Sequence, residues 1–153
     1  MLKNSIFATK LNKMQKAILS LGSNLGDRHF YLTEAAKCIE EKIGKIVEKS
    51  SVYETKSWGF DAPPFLNQVI VVQSSLSPYQ LLEKLQDIEK QLGRTTKSET
   101  VNQKTNYHNR TIDIDILLYG NHKINSTKLT IPHPLIQQRN FVKIPLNELK
   151  ISY

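Results

Sequence analysis

The chain has 153 residues, 39% of them hydrophobic and 23% charged, with six Gly and six Pro. That is one domain's worth of ordinary globular sequence, and it excludes a collagen-like or wholly disordered chain. Net charge is +7, but three lysines (Lys3, Lys10, Lys13) and no acid fall in residues 1–13, so the remainder carries +4.

That basic stretch lacks the sustained apolar centre of a secretory signal, and Met14 follows it directly. Residues 1–13 are therefore read as a dispensable leader or start-site artefact, and 14–153 as a single domain. Apolar runs such as Val69 to Val72 are far too short to cross a bilayer. The lone Cys38 cannot form an internal disulfide, which points to a reducing, cytoplasmic compartment. A charge of this size suits an anionic substrate and argues only weakly for nucleic acid.

Ala17 to Leu21 is a short apolar run ended by Gly22, the pattern of a buried strand. A turn over 22–27 leads into a helix whose buried stripe is Leu32, Ala35, Ala36, Ile39 and Ile43, with Cys38 off it and Gly44 ending it. Ile46 to Thr55 and Phe65 to Ser74 read as two strands joined by a Gly- and Pro-punctuated connection. Ser77, Pro78 and Gln80 then form a helix start with a capping box, ahead of the stripe Leu81, Leu85, Ile88 and Leu92, and Gly93 closes that helix.

Residues 94–109 have no period. Thr111 to Leu117 alternates, with Ile112, Ile114 and Ile116 on one face and Asp113 and Asp115 on the other. The tail holds three prolines and is expected to form only short elements. The order βαββαβ predicts an α+β, ferredoxin-like split βαβ fold, an antiparallel sheet with helices on one face and the other face open for function.

Asp113 and Asp115 carry the sharpest chemical signal. Two residues apart on a strand, their Cα atoms stand roughly 6.6–6.8 Å apart on one face, where like charges repel unless a cation or water separates them. A hard divalent ion completed by substrate phosphates suits such a pair; a solvated strand face is the alternative. Arg110, three residues before Asp113, and Arg94, Lys97 and Lys104 in the loop ahead favour the phosphate reading.

An aperiodic loop of that length inside a domain is expected to be a basic lid over a triphosphate. Gln86 and Glu89 flank the second helix's stripe, where either a cleft or ordinary surface polarity accounts for them. His133, held between Pro132 and Pro134, and Arg139 beyond it are possible phosphate donors, though a lone His is often structural. Phe65 and Phe141 are suited to sandwiching a flat ring or to filling a core. The turn at 22–27 lacks both the P-loop and the dinucleotide fingerprint, but still aims backbone N–H groups from a helix start.

Together the segments LSLGSNLGD (19–27), SSVYET (50–55), PFLNQV (64–69), Gln86 and Glu89 leading to Gly93-Arg94, RTIDIDILLYG (110–120), and LTIPHP with Arg139-x-Phe141-Val142 resemble the 6-hydroxymethyl-7,8-dihydropterin pyrophosphokinases of folate biosynthesis, over residues 17 to about 149. The resemblance implies that Asp113 and Asp115 hold two magnesium ions and act in catalysis with Arg94 and Arg110. It implies an ATP site of Gln86, Glu89, Arg94, Arg110, Ile116, Lys128, Thr130, His133 and Arg139. It implies a pterin pocket of Gly22, Thr55, Trp58, Phe65, Asn67 and Phe141. Two positions depart from the family pattern: Thr96 stands where many members carry a second loop arginine, and Tyr107 where they carry a tryptophan.

The implied reaction moves pyrophosphate from MgATP to the pterin's hydroxymethyl oxygen and releases AMP. The expected partners are those two small molecules, with no nucleic acid and no membrane, and the expected assembly is a monomer. A magnesium-dependent nucleotidyltransferase also pairs Gly-Ser with Asp-x-Asp, but places them on adjoining elements; here Gly22 and Asp113 are about ninety residues apart. An RNA-recognition module shares the element order, but carries aromatics on its central strands, whereas the strand here reads NQVIVVQ.

Overall fold

The computed structural model describes residues 13–56, 63–93 and 110–153. The leader up to residue 12, Trp58, Arg94, Lys97, Lys104 and the whole expected lid lie outside the described residues.

Strand β1 (Gln15–Ser23) is followed by α1 (Arg28–Lys42), β2 (Lys45–Lys49), β3 (Tyr53–Thr55), β4 (Phe65–Ser74), α2 (Pro78–Gln91) and β5 (Asp113–Tyr119). The main sheet runs in the order β2-β4-β1-β5, with β3 also pairing to β4, and every pairing is antiparallel. The expected split βαβ fold is the one observed. A small β6 (Ile124–Asn125) and β7 (Thr130–Ile131) hairpin, a 3-10 turn (Ile136–Gln138) and α3 (Asn140–Glu148) complete the chain.

Local chemistry explains most of these boundaries. Asp27 caps α1 by accepting from the Phe30 N–H at 3.1 Å. Ser77 caps α2 in the predicted capping box, its own N–H donating to Gln80 Oε1 at 2.9 Å. Gly93 has φ +97°, a conformation that closes α2 at little cost only with glycine. Ala17, Leu19 and Leu21 of β1, Ile70 and Val72 of β4, and Ile114 and Ile116 of β5 meet Leu32, Ala35, Ile39, Leu81, Leu85 and Ile88 in the main core.

Three expectations need correction. The strand read as 46–55 is two strands, because the side chain of buried Ser50 takes the place of a regular ladder bond and accepts from the Val69 N–H at 3.0 Å. Cys38 lies in the main core, one turn beyond Ala35, rather than off the stripe.

The tail contains a nine-residue helix despite Pro145. Val142 and Leu146, one turn apart on α3, bury themselves with Ile136 against Ile18, Val69, Val71 and Leu117. These strand residues belong to the sheet face opposite α1 and α2. The second face is thus covered at one end by α3, and the polar end around Gly22 is the part of it outside that apolar cluster.

Candidate active site

Cross-strand register decides which side chains meet on that surface. Tyr53, Asn67, Gly22 and Asp113 form one row across β3, β4, β1 and β5. Val69, Ser20 and Asp115 form the next. Gly22 leaves bare backbone between Asn67 and Asp113. A Cβ there would stand 3.3 Å from Asn67 Oδ1 and 3.5 Å from Phe65 Cδ1, so the missing side chain is what allows both to lean inward.

Asn67 is 4% exposed. Its Nδ2 donates to Thr55 Oγ1 at 2.8 Å and to the Tyr53 carbonyl at 3.4 Å. Thr55 is paired with Phe65. Gly22, Thr55, Phe65 and Asn67 are therefore gathered at one corner of the sheet. At that corner β1 continues into Asn24, a fully buried residue that the sequence reading passed over. Asn24 donates from Nδ2 to the Pro63 carbonyl at 3.2 Å and accepts at Oδ1 from the Arg110 N–H at 2.8 Å. Its own N–H donates to the Arg110 carbonyl at 3.0 Å, so one side chain and one amide fix the entry to β4 and the entry to β5 together. A polar residue directly after a buried strand was the available signal.

Each aspartate faces an arginine. Arg110 Nη1 lies 3.0 Å from Asp113 Oδ1, and Arg139 Nη1 lies 3.6 Å from Asp115 Oδ2. Burial and the neighbouring Asp113 charge push the Asp115 carboxyl up to about 7, with Glu89 adding to the rise and Arg139 and Arg110 opposing it. A third of the Asp115 side chain (33%) remains accessible, enough for an ion to enter. This accumulation of carboxylate charge in a half-buried place, built from hard oxygen donors, fits a divalent cation. Among the described residues no three His, Cys, Asp or Glu cluster in a way that could hold a metal ion by themselves.

Glu89, on α2, is 6% exposed, and its Oε2 accepts from the Ile114 N–H at 2.7 Å. Gln86, its partner in the sequence reading, stays exposed. The His133 N–H donates to the Leu117 carbonyl at 2.9 Å, beside the point where β5 slips register against β1. The His133 Nδ1 accepts from the Leu135 N–H at 3.1 Å, which leaves Nε2 to carry the proton of the neutral ring. Burial and the nearby Arg139 charge lower the pKa of this imidazole, against a smaller opposite pull from Asp113. Arg139 also stands over the Phe141 ring, 5.5 Å from its centroid.

Arg110, Asp113, Asp115, Glu89, His133 and Arg139 thus make one charged cluster, and Arg139 links it to Phe141. Lys128 is exposed, and Thr130 lies on β7 with its Oγ1 at 3.5 Å from the Ser126 carbonyl. Ile116 does not share the aspartates' face: its side chain is buried in the main core, so β5 offers only its backbone. Trp58 and Arg94 lie outside the described residues.

A family model described as 7,8-dihydro-6-hydroxymethylpterin-pyrophosphokinase matches residues 18–151. A Porphyromonas gingivalis protein named 2-amino-4-hydroxy-6-hydroxymethyldihydropteridine pyrophosphokinase is 47% identical over 133 residues, 86% of this chain and 88% of that protein. A Bacillus subtilis protein of the same name is 40% identical over 135 residues, 87% of this chain and 77% of the relative. Among solved structures, a Plasmodium falciparum HPPK-DHPS chain with pterin and p-hydroxybenzoate aligns with a TM-score of 0.67 at 18% identity. It covers 90% of this chain, which spans 38% of that longer one, and the likeness is one of fold.

Proposed function

This chain belongs to the 7,8-dihydro-6-hydroxymethylpterin-pyrophosphokinase family, and on that footing we propose how the open end of its sheet transfers pyrophosphate from ATP to the pterin alcohol in folate biosynthesis. The observation that carries the reading is the row Asn67–Gly22–Asp113. Its two ends are two strand spacings apart, roughly 9.5 Å, about the reach from a pterin ring edge to its hydroxymethyl oxygen and the phosphate beyond.

In this reading the ring lies at the Thr55, Phe65 and Asn67 corner. The Asn67 amide reads the ring's edge, and Phe141 and Phe65 offer apolar faces. Gly22 leaves room for the ring, and Trp58 belongs to the same pocket. On the other side of the row, Asp113 and Asp115 would hold two magnesium ions, which would supply positive charge to offset that of the phosphates.

Arg110 and Arg139, now paired with the aspartates, exchange those partners for phosphate oxygens when nucleotide enters, and Arg94 joins them. His133 donates from Nε2 to a phosphate oxygen, and its low pKa keeps that donor neutral rather than adding positive charge. Gln86, Lys128, Thr130 and the backbone at Ile116 border the nucleotide. Glu89 keeps the β5 backbone in place. The hydroxymethyl oxygen attacks the β-phosphorus and gives up its proton to solvent, the bridge to the α-phosphate breaks, and AMP leaves with the bridging oxygen.

Among the described residues no helix is long and apolar enough to cross a membrane. The reading takes the site of action as the cytoplasm, as the lone Cys38 suggests, and the acting unit as a monomer whose active domain is 14–153. The test is product analysis with MgATP and the reduced pterin alcohol. AMP should appear in step with pterin consumption, and stoichiometric ADP would replace this reading with ordinary γ-phosphoryl transfer.

A further inference from the structure

The outer wall of the ring corner is β3, a strand of only three residues paired to β4 on one side. Short single-sided pairing holds a strand weakly, yet the Tyr53 carbonyl and Thr55 Oγ1 on β3 are the two acceptors for Asn67 Nδ2. Among the described residues, two charged side chains hold β3 beyond its ladder. Arg28 Nη1 donates to Glu54 Oε2 at 2.8 Å on the solvent side. A carboxylate from the far end of the chain is the one that reaches Tyr53 itself. Glu148, at the end of α3, accepts at Oε1 from the Tyr53 hydroxyl at 2.6 Å and from the Ser51 N–H at 3.0 Å. Its Oε2 accepts from Ser51 Oγ at 2.9 Å and from the Ser51 N–H at 3.1 Å.

The helix that supplies this carboxylate is firmly seated, with Val142 1% exposed and Leu146 fully buried on the sheet. The same helix carries Phe141, seven residues earlier and so roughly 10 Å along its axis on the same side.

We propose that Glu148 is a positioning residue for pterin recognition: from α3 it pins β3 against β4, so that Tyr53 and Thr55 keep the Asn67 amide aimed at the ring. One rigid helix then sets both walls of the pocket, Phe141 directly and β3 through Glu148. The hydrogen bond from Tyr53 lowers the Glu148 pKa and raises that of the phenol, so the carboxylate is charged and the bond charge-assisted across the neutral range. This inference rests on the placing of the pterin at Asn67 given above.

The test is equilibrium titration of 6-hydroxymethyl-7,8-dihydropterin onto the full chain loaded with magnesium and α,β-methylene ATP, an analogue whose α–β bridge cannot be cleaved. Glu148→Ala should weaken pterin binding about tenfold while leaving nucleotide affinity within about twofold of wild type. Glu148→Gln should recover most of the loss, because its amide oxygen still accepts from Ser51 and Tyr53, and Tyr53→Phe should show part of it. Unchanged pterin affinity in Glu148→Ala would overturn the proposal, as would an equal loss of nucleotide and pterin affinity, the mark of general loosening. Failure of the wild type itself to bind pterin would overturn the reading of the pocket beneath it, and this inference with it.

Discussion

The Glu89 carboxylate accepts from the Ile114 N–H at 2.7 Å, the one amide that lies between Asp113 and Asp115 in the chain. A buried acid on α2 therefore fixes the β5 backbone at the midpoint of the carboxylate pair. A strand edge without a neighbouring strand has amides to satisfy, and here a side chain satisfies one.

Removing that acceptor should disturb the site from behind. Glu89→Ala leaves a buried N–H unpaired, a cost of about 1–3 kcal/mol. Apparent magnesium affinity should fall roughly 10- to 100-fold, as it does when a supporting group behind a ligand is lost. Glu89→Gln keeps an acceptor for Ile114 and should retain most of the stability. Thermal melts and magnesium-dependent rates on both variants check this.

Asp115 makes the protein's stability depend on pH in an unusual direction. Its carboxyl is raised in the folded state to about 7, so the fold binds this proton more tightly than the unfolded chain does. The resulting stabilisation is complete below the ordinary carboxylate range and is lost as pH rises through about 7. Without magnesium, the stability contributed by this group should fall between pH 4 and pH 7, and Asp115→Asn should remove that slope. Because the ion needs the carboxylate, added magnesium should raise the melting temperature more at pH 8 than at pH 6. Asp115→Asn should remain folded with severely reduced turnover.

His133 is predicted to act as a neutral donor. Its lowered pKa means that the fold resists the second ring proton, so this group costs stability as pH falls through the ordinary imidazole range. His133→Asn keeps an acceptor near the Leu135 N–H but lacks the outer N–H. It should fold with near-normal stability and show a KM for ATP raised by about tenfold, with the KM for pterin little changed. Nitrogen chemical shifts of the wild-type ring should report the Nε2–H form at pH 7.

Gly22→Ala tests the central row. A methyl group 3.3 Å from Asn67 Oδ1 must push the amide or the Phe65 ring aside. The KM for pterin should rise by about tenfold or more, with a smaller effect on ATP, since the clash lies on the ring side of the row. Equal effects on both substrates would place the ring elsewhere.

Much of this molecule follows from local pattern. The alternation of Asp113 and Asp115 with Ile112, Ile114 and Ile116 puts both carboxylates on one face of one strand, because side-chain direction in a strand repeats every two residues. Ser77 with Gln80, and Gly93, mark the ends of α2 because caps are interactions between residues three or four apart. The order of strands and helices was enough for the split βαβ topology, since few right-handed connections satisfy it.

Relations between distant segments were not legible in this way. The salt bridge of Arg139 to Asp115, the hold of Asn24 on Pro63 and Arg110, and the grip of Glu148 on Ser51 and Tyr53 join residues far apart in the chain. The break at Ser50 and the helix through Pro145 also depend on partners across the sheet, Val69 for one and the Ile18–Val71–Leu117 surface for the other. The sequence by itself determined the kinds of chemistry present and the face on which the carboxylates stand, because those depend on backbone periodicity. Only the tertiary structure decided that Glu89 is buried while Gln86 is not, and that Asn67 and Asp113 share a row across Gly22, because register and burial depend on how the strands and helices pack.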